Sequence, residues 1–253
     1  MQPTVLEQFK AARLQNQKQF ALLIDPDKLD NAALQSTIDL AVKAKVDYLF
    51  VGGSLLTKDV LDECLTTIKS NCSIPTILFP GSVMQINDKA DAIFFLSLIS
   101  GRNPEMLIGQ HVLAAPYLKA SGLEILPTGY ILIDGGTQTT VSYISNTTPI
   151  PANKPDIAAC TAMAGEMLGL QLMYMDAGSG AKNSIDEKII SAVGKNTNVP
   201  LIVGGGILTT EKAVANCLAG ADIIVVGNAA EKNPSLIFDM AKAIHQVSNS
   251  QLA

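Results

Sequence analysis

Eight continuous apolar runs divide the chain at regular intervals, each closed by Gly, Pro, Asp or Ser. They are 19–25 (QFALLID), 46–54 (VDYLFVGGS), 74–82 (IPTILFPGS), 90–100 (ADAIFFLSLIS), 123–134 (LEILPTGYILID), 170–180 (LQLMYMDAGSG), 199–207 (VPLIVGGGI) and 221–228 (ADIIVVGN). Unbroken rather than alternating apolar strands are what a parallel sheet buried on both faces requires. Segments of helical period lie between most of them, such as NAALQSTIDLAVKA, PEMLIGQHVLAAPYLKA and TTEKAVANCLA, and the connection after the third run is the shortest. Eight such units in 253 residues predict a single (β/α)8 TIM barrel spanning the chain. An open doubly wound sheet would carry a glycine-rich turn after its first strand, and IDPDKLD has no glycine there. VLEQFKAARL (5–14) predicts a helix on the barrel floor or flank, and the polar stretch 134–156 is long enough to act as a lid over the strand ends.

Composition removes several function classes. Charged residues make up 16% and the net charge is -5, with Arg13 and Arg102 as the sole arginines, so no basic footprint for nucleic acid exists. AIFFLSLI is far shorter than the ~18–20 apolar residues of a transmembrane span, and the first twenty or so residues lack a signal-peptide pattern. The expectation is a cytoplasmic protein. Cys64, Cys72, Cys160 and Cys217 form no CxxC pair and read as free thiols; with only His111 and His245, acid–base work falls to carboxylates.

A barrel's active site sits where its strands end. Gly204-Gly205-Gly206 after the seventh run and Gly227-Asn228 after the eighth occupy the places where barrel enzymes build phosphate sites from backbone N–H groups and a helix N-terminus, with Thr209 or Thr210 as cap. Gly178-Ser179-Gly180 offers further donors. Asp176 ends the sixth strand and is placed to take a proton from a substrate hydroxyl or to hold the turn that follows; Tyr174 points the same way. Asp25 and Asp27 are expected across the mouth from the phosphate, one or both holding a hard cation such as Mg²⁺ with Ser54 completing the shell. The plainer role for Asp27 is to cap the following helix, with Lys28 paired to a nearby carboxylate.

Taken together, LIDPDK, FVGGS, PIP in the long loop, YMDAGSGA, IVGGGI and VVGN resemble the geranylgeranylglyceryl phosphate synthases and their bacterial heptaprenylglyceryl phosphate synthase relatives over nearly the whole chain. The resemblance implies Mg²⁺-dependent transfer of a C20 prenyl group from geranylgeranyl diphosphate to the 3-hydroxyl of sn-glycerol 1-phosphate. It implies Asp25 and Ser54 as metal ligands, and Tyr174, Met175, Asp176, Ala177, Gly178, Ser179, Gly180, Gly205, Gly206, Gly227 and Asn228 as the glycerol 1-phosphate site. It also implies a homo-oligomer of the larger subgroup. The family's usual glutamate is replaced here by Asp176, one methylene shorter, so the substrate hydroxyl must sit deeper or be reached through a water. An apolar groove for the tail is expected along FFLSLI and the helix after it. A phosphosugar isomerase or lyase would use the same phosphate cup without that groove, and a weakly active phosphate- or lipid-binding homologue is the reading the aspartate motivates.

Overall fold

The computed structural model of the protein describes residues 3–250. Eight parallel strands close into a barrel in sequence order, β1 (Gln19–Ile24), β2 (Tyr48–Gly53), β3 (Thr76–Pro80), β4 (Ala92–Leu98), β5 (Glu124–Leu132), β6 (Leu172–Asp176), β7 (Leu201–Gly204) and β8 (Ile223–Val226), with β8 pairing back onto β1. The α-helices among the described residues are α1 (Val5–Leu14), α2 (Asn31–Ala44), α3 (Leu61–Asn71), α4 (Gln110–Ser121), α5 (Thr140–Ile144), α6 (Pro155–Met167), α7 (Glu187–Asn196), α8 (Thr210–Ala219), α9 (Asn228–Lys232) and α10 (Leu236–Ser250). Between β3 and β4 a single turn at Val83–Gln85 replaces a helix. None of the helices among the described residues is long and apolar enough to cross a membrane.

The two-residue period of each strand sorts the core into two layers. Ala21, Tyr48, Phe50, Phe94, Tyr130, Tyr174, Ile202 and Val225 fill the barrel interior. Leu22, Val51, Ile93, Ile131, Met175 and Val203 pack outward against the helices. The interior is unusually aromatic: Phe50 meets Phe94 edge-on at 4.8 Å, and Phe79 stacks on Tyr174 at 4.9 Å. Edge-on and offset ring pairs of this kind add about 0.5–1.5 kcal/mol beyond area burial.

Helix α1 closes the floor. Thr4 and Glu7 form a capping box, Val5 and Leu6 donate their N–H groups to the Glu124 carboxylate at the start of β5, and Phe9 packs edge-on against Tyr48 at 4.7 Å. Arg13 pairs with buried Asp222, which Lys18 also approaches at 3.5 Å. At the opposite end, the stretch 134–156 is fastened rather than loose. Ile150 pairs with Ile133 as a short bridge beside β5, and Asn183 donates to the Gly135 carbonyl. Cys64, Cys72, Cys160 and Cys217 are all free thiols.

Candidate active site

The strand ends enclose two clefts that share a rim. A polar basin of ≈ 1300 Å³, counting space open to solvent, is lined by Asp25, Ser54, Tyr174, Asp176, Gly178–Gly180, Gly205-Gly206, Gly227-Asn228 and Glu231. An apolar cleft of ≈ 910 Å³ on the same reckoning runs between β3, β4 and α4, lined by Pro80, Ile86, Phe95, His111, Ala114 and Leu118 among others. Gly53, Ser54 and Phe79 line both. The cleft exists because a single turn after β3 leaves room beside the barrel wall where a helix would otherwise pack.

Asp176 is 7% exposed, and each of its carboxylate oxygens accepts one hydrogen bond. Tyr130 donates its hydroxyl to Oδ2 at 2.6 Å, and the Gly178 N–H donates to Oδ1 at 2.7 Å. Burial pushes the Asp176 carboxyl above the usual aspartate range, while these two hydrogen bonds act to hold it down by favouring the ionised form. Burial and the Asp176 charge together push both Tyr130 and Tyr174 well above the ordinary phenol range, so both stay protonated and Tyr130 remains a donor. The same pocket demands glycine at 205. Its φ is +82°, and a Cβ there would lie 2.5 Å from Asp176 Oδ1.

The glycine loops converge as expected from the strand-end pattern. Thr209, not Thr210, caps α8, accepting from the Lys212 N–H at 3.3 Å, and both threonines line a separate surface pocket rather than the basin. Asn228 donates through Nδ2 to Ser179 Oγ at 2.9 Å, tying the end of β8 to the loop after β6.

A PcrB family model matches residues 12–248. The chain belongs to the PcrB family. Relatives named geranylgeranylglyceryl phosphate synthase include one from Chitinophaga pinensis, 61% identical over 90% of each chain, and one from Spirosoma linguale, 54% identical over 98% of each. The crystal structure of (S)-3-O-geranylgeranylglyceryl phosphate synthase from Thermoplasma acidophilum, in complex with substrate sn-glycerol-1-phosphate, matches with a TM-score of 0.92 at 34% identity, over 97% of this chain and 100% of that one.

In this PcrB-family barrel two expectations need correction. Asp25 and Asp27 do not lie across the mouth from the glycine loops. Closure of the barrel sets β1 beside β8, so Lys28 Nζ reaches both Asp25 Oδ2 at 3.2 Å and Asn228 Oδ1 at 2.8 Å. Nor does Asp27 cap α2: Asp30 does, accepting from the Ala33 N–H, while the Asp27 carboxylate binds the Thr57 hydroxyl and the Thr57 and Lys58 N–H groups, clasping two loops together.

Two of the expected site residues stand outside the basin. Met175 and Ala177 have the outward parity and pack in the layer between strands and helices, and the Ala177 N–H is already given to the Gly204 carbonyl at 3.2 Å. Tyr130 and Glu231, conversely, were not singled out from the sequence. Its position in the fifth apolar run is the only sequence signal for Tyr130; its register opposite Tyr174 emerges in the closed barrel. Glu231, 3.4 Å from Lys28 Nζ, had no signal beyond following Gly227-Asn228.

Proposed function

We infer that this protein is a prenyltransferase that forms the ether bond between geranylgeranyl diphosphate and the 3-hydroxyl of sn-glycerol 1-phosphate, releasing diphosphate. The observation that carries this reading is the shared rim. A glycine-rich polar basin suited to a small phosphate ester opens at Gly53, Ser54 and Phe79 into an apolar cleft suited to a hydrocarbon tail. A phosphosugar isomerase or lyase has no use for the second cleft.

In this reading the acceptor's phosphate lies on the backbone donors of Gly178–Gly180, Gly205-Gly206 and Gly227-Asn228, so binding leans on N–H groups and a helix end rather than on arginine. That anchoring leaves the acceptor hydroxyl over Asp176 and Tyr174. The donor's tail lies along Phe95, Ala114 and Leu118, each buried methylene worth ~0.8 kcal/mol before binding costs. As the bond from C1 to the diphosphate oxygen breaks, the acceptor oxygen bonds to C1 and its proton passes to Asp176. Tyr130 holds that carboxylate in place through the step. Asp176 is shorter than the family's glutamate and is drawn back by Tyr130 and Gly178, so the hydroxyl must come down to it or use one water.

Asp25 and Ser54 fit Mg²⁺. No group of three or more His, Cys, Asp or Glu placed to hold an ion occurs among the described residues. One carboxylate and one hydroxyl at the rim, completed by waters and substrate oxygens, is a donor set this ion accepts. The chemistry a bound Mg²⁺ supplies there is neutralisation of charge on the departing diphosphate.

The test is release of diphosphate from geranylgeranyl diphosphate on addition of sn-glycerol 1-phosphate. The expected outcome is turnover that a chelator abolishes and that enantiomeric sn-glycerol 3-phosphate does not support. Chelator-insensitive turnover would remove the metal from the account while leaving the transfer.

A further inference from the structure

We propose that Lys28 bridges the two anion sites of this mouth, so that acceptor phosphate and donor diphosphate bind cooperatively through one ammonium. The proposal rests on the prenyltransferase reading above. Lys28 follows β1 and meets three side chains at once, one in its own loop and two on α9: Nζ lies 3.2 Å from Asp25 Oδ2, 2.8 Å from Asn228 Oδ1 and 3.4 Å from Glu231 Oε2. Asn228 in turn donates to Ser179 at 2.9 Å. An unbroken line of polar contacts, Asp25 to Lys28 to Asn228 to Ser179, therefore joins the carboxylate proposed for the metal and diphosphate to the loop proposed for the acceptor phosphate.

Charge balance gives this line its purpose. The basin is lined by three carboxylates, Asp25, Asp176 and Glu231, against two ammonium groups, Lys28 and Lys232. Both substrates bring phosphate into it, and two anions brought close repel unless a cation stands between them. Lys28 stands there. A lysine is a compact point charge with three rotatable donors on a flexible stem, able to turn from carboxylate to phosphate without leaving its seat. Its side chain is 41% exposed, which leaves room for that turn. Glu231, at 19% side-chain exposure, lies 3.4 Å from the same ammonium and keeps it at the mouth.

The experiment measures by calorimetry the Kd of sn-glycerol 1-phosphate alone and with saturating Mg²⁺ and inorganic diphosphate, taking the ratio of the two as the coupling factor. It compares wild type, Lys28→Met and Lys28→Arg, with Lys28→Gln as a second neutral variant should methionine disturb the fold. The expected result is a coupling factor at least ~5-fold lower in the neutral variant, within the usual range for coupled sites, and largely recovered in Lys28→Arg. A merely structural lysine would weaken both measurements alike and leave the ratio unchanged. An unchanged ratio in a folded neutral variant overturns the proposal, as does an arginine variant whose ratio is as low as that of methionine. A wild-type protein that binds neither ligand overturns the prenyltransferase reading itself, which separates the two failures.

Discussion

In the proposed reaction Asp176 would concentrate the proton transfer in one buried carboxylate. Its two hydrogen bonds and its burial pull its proton affinity in opposite directions, with burial the larger influence. Acting as base, it works only when ionised, so activity falls as pH drops through its pKa, at a point above the ~3.9 of an ordinary aspartate. Tyr130→Phe removes one of the two bonds that stabilise the ionised form, so the acid limb of the kcat/KM profile is expected to move to higher pH. Asp176→Ala is expected to lower kcat by about 10²–10⁴, the usual contribution of a positioned base, with little change in KM for the acceptor. An unmoved limb in the tyrosine variant would detach Tyr130 from the base. At this scale the sequence is legible in that the strand-end residues Asp25, Ser54 and Asp176 all come to line the basin, though not in which side of it Asp25 takes. It was less legible where parity decides: Met175 and Ala177 sit inside the matching motif, yet the strand's two-residue period turns their side chains outward.

Elements were readable wherever a local signal sets their limits. Helices α1 and α2 cover the segments VLEQFKAARL and NAALQSTIDLAVKA that the apolar period picks out, although the cap of α2 is Asp30 rather than Asp27. The predicted continuous helix after the fourth strand instead opens with a π-helical turn at Glu105–Gly109 before α4 begins, a difference in hydrogen-bond register that apolar spacing does not encode. The pairing that closes β1 onto β8 is likewise a contact between the chain's two ends, and reading the strands as a linear series put Asp25 on the wrong side. Thr209→Ala is expected to cost about 1 kcal/mol in denaturant unfolding, the loss of an N-cap, and to leave acceptor binding unchanged, because the cap lies outside the basin. On α4, the cleft-lining residues His111, Ala114 and Leu118 recur at helical spacing, and Ala114 is the small one. Ala114→Trp fills the cleft part-way along, so the donor preference is expected to shift to shorter prenyl chains, read from kcat/KM across a length series. An unchanged preference would place the tail elsewhere.

For the molecule as a whole, the apolar excess of the sequence is spent twice. Most of it builds the two layers of the barrel core, and part is left lining a cleft where a helix has been reduced to one turn. The shortness of the third connection was visible in the sequence; that the vacated space joins the phosphate basin at Gly53, Ser54 and Phe79 is a property of the closed barrel alone. The backbone at that rim is tight. Gly52 has φ +145°, and a Cβ there would lie 2.2 Å from the Phe79 carbonyl oxygen. The central claim is that this rim is where a prenyl chain is joined to glycerol phosphate. Mass spectrometry of the products formed from isotopically labelled sn-glycerol 1-phosphate and prenyl diphosphates from C15 to C35 tests it most directly. The expected product is a labelled prenyl ether of glycerol phosphate, with geranylgeranyl diphosphate among the accepted donors. Folded protein that binds glycerol 1-phosphate yet forms no ether with any donor in the series would contradict it.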